Sequence, residues 1–272
     1  MPDFSVPIKY YDGTVNKVDL ETKNAVKNTL YKVISKIEPD FFKGLSIHIA
    51  SDYSNLDNHN SLSTHLKKEE NSYSSTRGIA DSSGNREVYI QESAFKFAKL
   101  LNLLNSFSFT GKTEIEQATM HELGHQFDYF YGTDEELKKK YDELLAKYPD
   151  SYEKEVNLTK EEEEFFTMYQ DNNGYSDSPS FKEAVYNDLQ QLDVHSLNLD
   201  EGYFVAEFYN KGLDLKPTKD DVQKGDYSRG EVFAQAFSYA MGTDDGGKED
   251  FIKRFPQAYN VVLNYIAKHT KP

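Results

Sequence analysis

Two different periods of hydrophobic and polar positions run along this chain. In residues 18–37, Val26, Leu30, Val33, Ile34 and Ile37 recur at near-helical spacing, which predicts an amphipathic helix ending ahead of Pro39. The period then changes to two. Residues 45–50 (LSIHIA) set Leu45, Ile47 and Ile49 against Ser46 and His48, the pattern of a strand. Residues 51–77 are rich in Ser, Asn, Asp and Lys and read as a long loop. Ile79-Ala80 and residues 86–91 (REVYIQ), flanking a turn-like DSSGN, predict a hairpin, and residues 93–104 predict a second helix. A longer helix is expected over residues 113–131, with Thr113 and Glu116 spaced as a capping box and Gly132 as its stop. Helical segments with polar breaks fill residues 134–206. A further helix covers 230–241, and the last, over 248–268, should bend or split at Pro256. Strands confined to the first third and helices elsewhere predict an α+β protein. Residues 1–112 would form a small strand-bearing lobe, packed on a mainly helical lobe of residues 113–272 as one compact domain.

Composition narrows the function. The 272 residues include 38% hydrophobic and 14% aromatic side chains, enough for a sizeable core. A net charge of −15, with lysines interspersed among acids, argues against nucleic-acid binding, which needs a basic footprint. It favours a basic partner by long-range steering. No apolar run reaches the roughly 18 residues of a membrane span, residues 1–20 lack the pattern of an export signal, and a monomer is expected. Cysteine is absent, so disulfides, thiolate metal sites and a cysteine nucleophile are excluded.

The 113–131 helix contains His121-Glu122-Leu123-Gly124-His125, the H-E-x-x-H pattern. Positions i and i+4 lie one above the other, so both imidazoles can meet one zinc ion. On a helical wheel Met120, Leu123, Phe127 and Phe130 form one stripe, and His121, His125 and Asp128 another. Glu122 is placed to accept a proton from an attacking water, and Asp128 could orient a ligand imidazole. With 7 histidines in the chain and glutamate at about one residue in ten, only ~0.02 accidental matches are expected.

Catalytic zinc commonly takes three protein ligands. No H-x-x-G-x-x-H continuation follows His125, so a distant carboxylate is expected as the third. Glu231 is the best placed: Glu231, Gln235 and Ser238 share one face of a short helix, while Phe233, Phe237 and Ala240 share the apolar one. Glu161 to Glu164, Glu183, Glu201 and Glu207 compete without distinguishing context.

Three stretches, HELGHQFD (121–128), EVFAQAFSYAM (231–241) and FIKRFPQAYNVVLNYI (251–266), resemble the lethal-factor-like zinc metalloproteases, which include anthrax lethal factor and the Pro-Pro endopeptidases. A weaker likeness lies in YSDSPSFKEAVYND (175–188), and the resemblance covers residues from about 113 to the end. It implies a zincin-like fold, one catalytic Zn²⁺ held by His121, His125 and Glu231, Glu122 as general base, and zinc-dependent hydrolysis of peptide bonds in a peptide or protein substrate. It also implies a secreted, toxin-type enzyme, and a tyrosine ahead of the third ligand that stabilises the oxyanion. Tyr227 is the nearest match, although it stands closer to the glutamate than in the relatives. Gln235 replaces an acidic residue of the relatives, and the 105 residues between His125 and Glu231 exceed their spacing.

Zincin-type proteases lay the substrate along a sheet edge as an added strand, and residues 86–91 would serve, unless they form an ordinary core strand. His48 is expected to be a satisfied core residue. His59, His65, His195 and His269 lack ligand spacing, and Asp171 to Gly174 falls short of a calcium loop. The competing functional classes are a non-catalytic lethal-factor-like recognition domain with a vestigial zinc site, and a structural protein with an accidental motif. The intact Glu122 weighs against the first, because recognition alone has no need of that carboxylate.

Overall fold

A computed structural model describes residues 6–14, 16–57, 78–80, 86–94, 111–132, 174–196, 205–209, 215–243 and 246–271, with a few isolated positions besides. Among these the chain is mixed α+β and mostly helical. Strands β1 (Ile8–Tyr11), β2 (Ser46–Ala50), β3 (Gly78–Ala80) and β4 (Glu87–Gln91) form one sheet. Helices α1 (Leu20–Ile34), α2 (Gly111–Tyr131), α3 (Pro179–Gln191), α4 (Lys219–Lys224), α5 (Asp226–Ala240), α6 (Lys248–Arg254) and α7 (Pro256–Lys268) account for most of the remainder. Two compact units are distinguished, one of residues 1–127 and 233–272, the other of residues 128–232. Both unit boundaries fall inside continuous helices, α2 and α5.

In the first unit the strand order is β1-β2-β4-β3. The first three strands run parallel, with Lys9, His48 and Tyr89 in register, and β3 pairs antiparallel with β4. A parallel pair needs a crossover, and α1 supplies it between β1 and β2. The strand expected over residues 45–50 is present as β2, and both of its faces are covered. Ile47 and Ile49 are fully buried on one side, and His48 is fully buried on the other. There His48 shares a 2.9 Å hydrogen bond with the Tyr11 hydroxyl, lies 3.0 Å from Ser46 Oγ, and stacks on Tyr89. The expectation of a satisfied core histidine therefore holds. Burial, with the nearby charges of Asp57 and Glu87, pushes the Tyr11 phenol up to about 12.

The hairpin joins β3 to β4 as expected, but residues 86–91 cannot receive a substrate strand. β4 is interior, hydrogen-bonded to β2 on one side and β3 on the other. Among the described residues the edges are β1 and the antiparallel β3.

Helix α1 begins at Asp19, whose carboxylate accepts the Thr22 N–H at 2.8 Å, while its own N–H donates to Glu92. It ends at Ile34, short of the predicted Ile37, because Ile37 instead forms a β-bridge with Thr270. Helix α2 starts at Gly111, so Thr113 lies inside its first turn and is not the N-cap. Glu116, the other half of the expected capping box, pairs with Lys32 of α1 at 3.3 Å. The stop at Gly132 holds, with φ at 67°. The break at Pro256 also holds: Phe255 leaves the helical region at φ −123°, ψ 54°, and Pro256 opens α7, where its missing N–H costs nothing. The predicted helix over 93–104 is seen only at residues 92–94, and the rest of it lies outside the described residues.

Candidate metal centre

Helix α2 divides its faces as its periodicity requires. Met120, Leu123 and Phe127 are fully buried, whereas Phe130, the fourth member of the expected stripe, is only partly so, and Phe127 packs its ring against Phe41, Phe237 and Tyr265. His121 and His125 lie one turn apart on another face, partly exposed, with ring centroids 4.9 Å apart and planes at 82°. Helix α5 buries Phe233, Ala236 and Phe237 in the same core. It begins four residues before the predicted Gly230, because Glu207 caps it: the Glu207 carboxylate accepts the Ser228 N–H at 3.0 Å, and the Glu207 N–H donates to Ser228 Oγ.

Two contacts fix α5 against α2. A Cβ on Gly124 would fall 2.9 Å from both the Cα and the carbonyl oxygen of Ala234, so only glycine permits this approach. Nearby, His121 Nδ1–H donates to Gln235 Oε1 at 3.1 Å. Glu231 precedes Gln235 by one turn and so shares its face. His121, His125 and Glu231 each offer a ligand atom, and these atoms lie within 4.8 Å of one another. Tetrahedral zinc ligands at 2.0–2.2 Å are ~3.4 Å apart, so the three donors need only a small contraction to close on an ion. Two imidazoles and a carboxylate are donors zinc accepts, and the residues fit it.

Substitution of Gly124 by Ala tests the packing. Alanine's helix propensity returns about 0.8–1 kcal/mol, but its methyl meets backbone that cannot swing aside. A net loss of about 1–3 kcal/mol is expected, read as a lower thermal midpoint. An unchanged midpoint would show that the helices are not in contact there.

The remaining expected site residues are distributed as follows. Glu122 is buried next to His121 on α2. The phenol of the fully buried Tyr53 is pushed well above its ordinary range, first by burial and then by the charge of Glu122. Tyr227 stands one turn before Glu231 on α5, half-exposed. Asp128, expected to orient an imidazole, accepts the N–H and hydroxyl of Ser176 at 2.7 and 2.6 Å. Of the competing carboxylates, Glu207 serves as the helix cap, and Glu183 is exposed on α3. Glu162 is held at about 2 by hydrogen bonds from Lys147 and the Thr159 main chain. Glu201, His59, His65 and Asp171 to Asn173 lie outside the described residues.

Sequence reasoning missed the partnership of His121 with Gln235. It also missed Tyr53, Ser176 and the buried Arg229. The one available signal was the helical spacing of Glu231 and Gln235, which had already placed both on one face. Fold and site together define an α+β protein with a His₂Glu group able to hold a metal ion. No family model, curated protein or solved structure matches the chain.

Proposed function

We propose that this chain is a zinc-dependent endopeptidase of the lethal-factor-like, zincin-type class. The observation that carries the reading is the convergence of His121, His125 and Glu231, with Glu122 on the same helix turn as the first ligand. Donation of the His121 Nδ1 proton to Gln235 fixes the ring tautomer and leaves Nε2 as the coordinating nitrogen, so the amide does the work expected of an acidic residue.

When bound, zinc supplies a Lewis acid that polarises the scissile carbonyl and lowers the pKa of water toward roughly 7. Glu122 takes the proton from the attacking water and delivers it to the leaving amine. Tyr227 donates its phenolic proton to the oxygen that gains charge, a role open to it because it is accessible and one helical turn from Glu231. The substrate strand adds to β3, an edge strand among the described residues, in place of the interior β4, with main-chain hydrogen bonds giving affinity independent of sequence. The net charge of −15 favours basic peptides, and the resemblance implies an exported enzyme acting on a peptide or protein target. No helix among the described residues is long and apolar enough to cross a membrane.

The test is incubation of the purified protein with a diverse peptide library, with cut sites read by mass spectrometry. Cuts that disappear with a chelator and return with zinc support the reading; a zinc-loaded protein that makes none would count against it.

A further inference from the structure

Arg229 lies two residues before Glu231 and is fully buried. A guanidinium without water needs a partner for each donor. It donates through Nε to the Ser176 carbonyl at 3.2 Å, through one terminal nitrogen to the carbonyls of Val222 and Gln223, and through the other to the Asp177 carboxylate. Asp177 also pairs with Lys182 at 3.5 Å. The Ser176 peptide is thus bound from both directions. Its carbonyl takes Arg229, while its N–H and hydroxyl go to Asp128, three residues past His125 on α2. The chain is pressed so closely here that a Cβ on Gly174 would lie 2.8 Å from the Asp128 carboxylate.

Resting on the reading of His121, His125 and Glu231 as metal ligands, we infer that Asp128, Ser176 and Arg229 are positioning residues: a buried clamp within residues 128–232 that ties the last turn of α2 to the first turn of α5 through the Ser176 segment and sets where α5 presents the Glu231 carboxylate. The clamp engages α2 three residues past His125 and α5 two residues before Glu231, and the Gly124–Ala234 and His121–Gln235 contacts join the same two helices further along. Buried ion pairs are often replaceable by apolar residues without loss, and their best-attested use is the specification of register.

The experiment measures metal binding, independent of peptide cleavage. Metal-free wild type, Arg229→Met, Ser176→Ala and, as a packing control, Val185→Ala from the buried face of α3 are titrated with Zn²⁺ against a chromophoric chelator. Their Co²⁺ forms are compared by visible absorption, and their thermal midpoints are recorded. Arg229→Met should weaken zinc binding by about 10- to 100-fold. Ser176→Ala, which keeps the main-chain bond, should weaken it by about three- to tenfold. Both should alter the Co²⁺ spectrum, whereas Val185→Ala should lower the midpoint with neither effect. Wild-type zinc affinity and Co²⁺ spectrum in folded Arg229→Met would overturn the clamp. Should that variant not fold, the same result in Ser176→Ala would do so. Wild type that binds no zinc would overturn the metal centre itself, a distinct outcome from a bound metal insensitive to the clamp.

Discussion

Glu122→Gln is expected to lower peptide cleavage by about 10²- to 10⁴-fold while leaving metal content at the wild-type level. The amide has the shape of the carboxylate and loses only its basicity. Glu122 lies between the two histidines in sequence, and helical geometry turns it about 100° from His121, so its role is not ligation. The substitution should be mild for folding. Glu122 is largely buried, and the charge that helps raise the Tyr53 phenol disappears with it. Cleavage of the peptide library and metal analysis of the same preparation check both halves of the expectation. Cleavage at the wild-type rate would remove Glu122 from the mechanism; loss of metal together with cleavage would recast it as a structural support of the centre.

Glu231→Ala is expected to abolish tight metal binding, leaving less than ~0.1 zinc per chain after dialysis. Ligand binding stabilises the folded state by about 2.7 kcal/mol when the free ligand is one hundred times its dissociation constant. Wild type should therefore show a thermal midpoint that rises by several degrees with zinc, and Glu231→Ala a midpoint that does not respond. Glu207→Ala serves as the contrast. It removes the cap of α5 and should cost about 0.5–2 kcal/mol, but the zinc response should persist because Glu207 is not among the converging donors. Retention of full zinc binding by Glu231→Ala would transfer the third-ligand role to another carboxylate.

The helices were legible where a local rule governed them. The stripe of Met120, Leu123 and Phe127, the stop at Gly132 and the break at Pro256 all follow from periodicity or from the chemistry of one residue, and each is present. Local rules failed where a distant partner competed. Thr113 and Glu116 have capping-box spacing, but Lys32 takes the glutamate and the helix begins earlier. Ile37 fits the apolar repeat of α1, but the tail at Thr270 takes it into a β-bridge. His48 was expected in the core from its apolar strand, but only the fold supplies the Tyr11 and Tyr89 rings that cover it.

The same division runs through the site. By itself the sequence determined which side chains could serve: the spacing of His121 and His125 on one helix, the carboxylate between them, and the shared face of Glu231 and Gln235 follow from 3.6 residues per turn. Only the tertiary structure decided how these pieces meet. It brought Glu231 to the histidines across 105 intervening residues, set Gln235 against His121 Nδ1, joined Asp128 to Ser176, and enclosed β4 within the sheet. The physical reason is that helix periodicity is set by bonds four residues apart. The partner of a buried polar group is set by whichever donor or acceptor packing brings within about 3 Å, and no spacing along the chain encodes that distance.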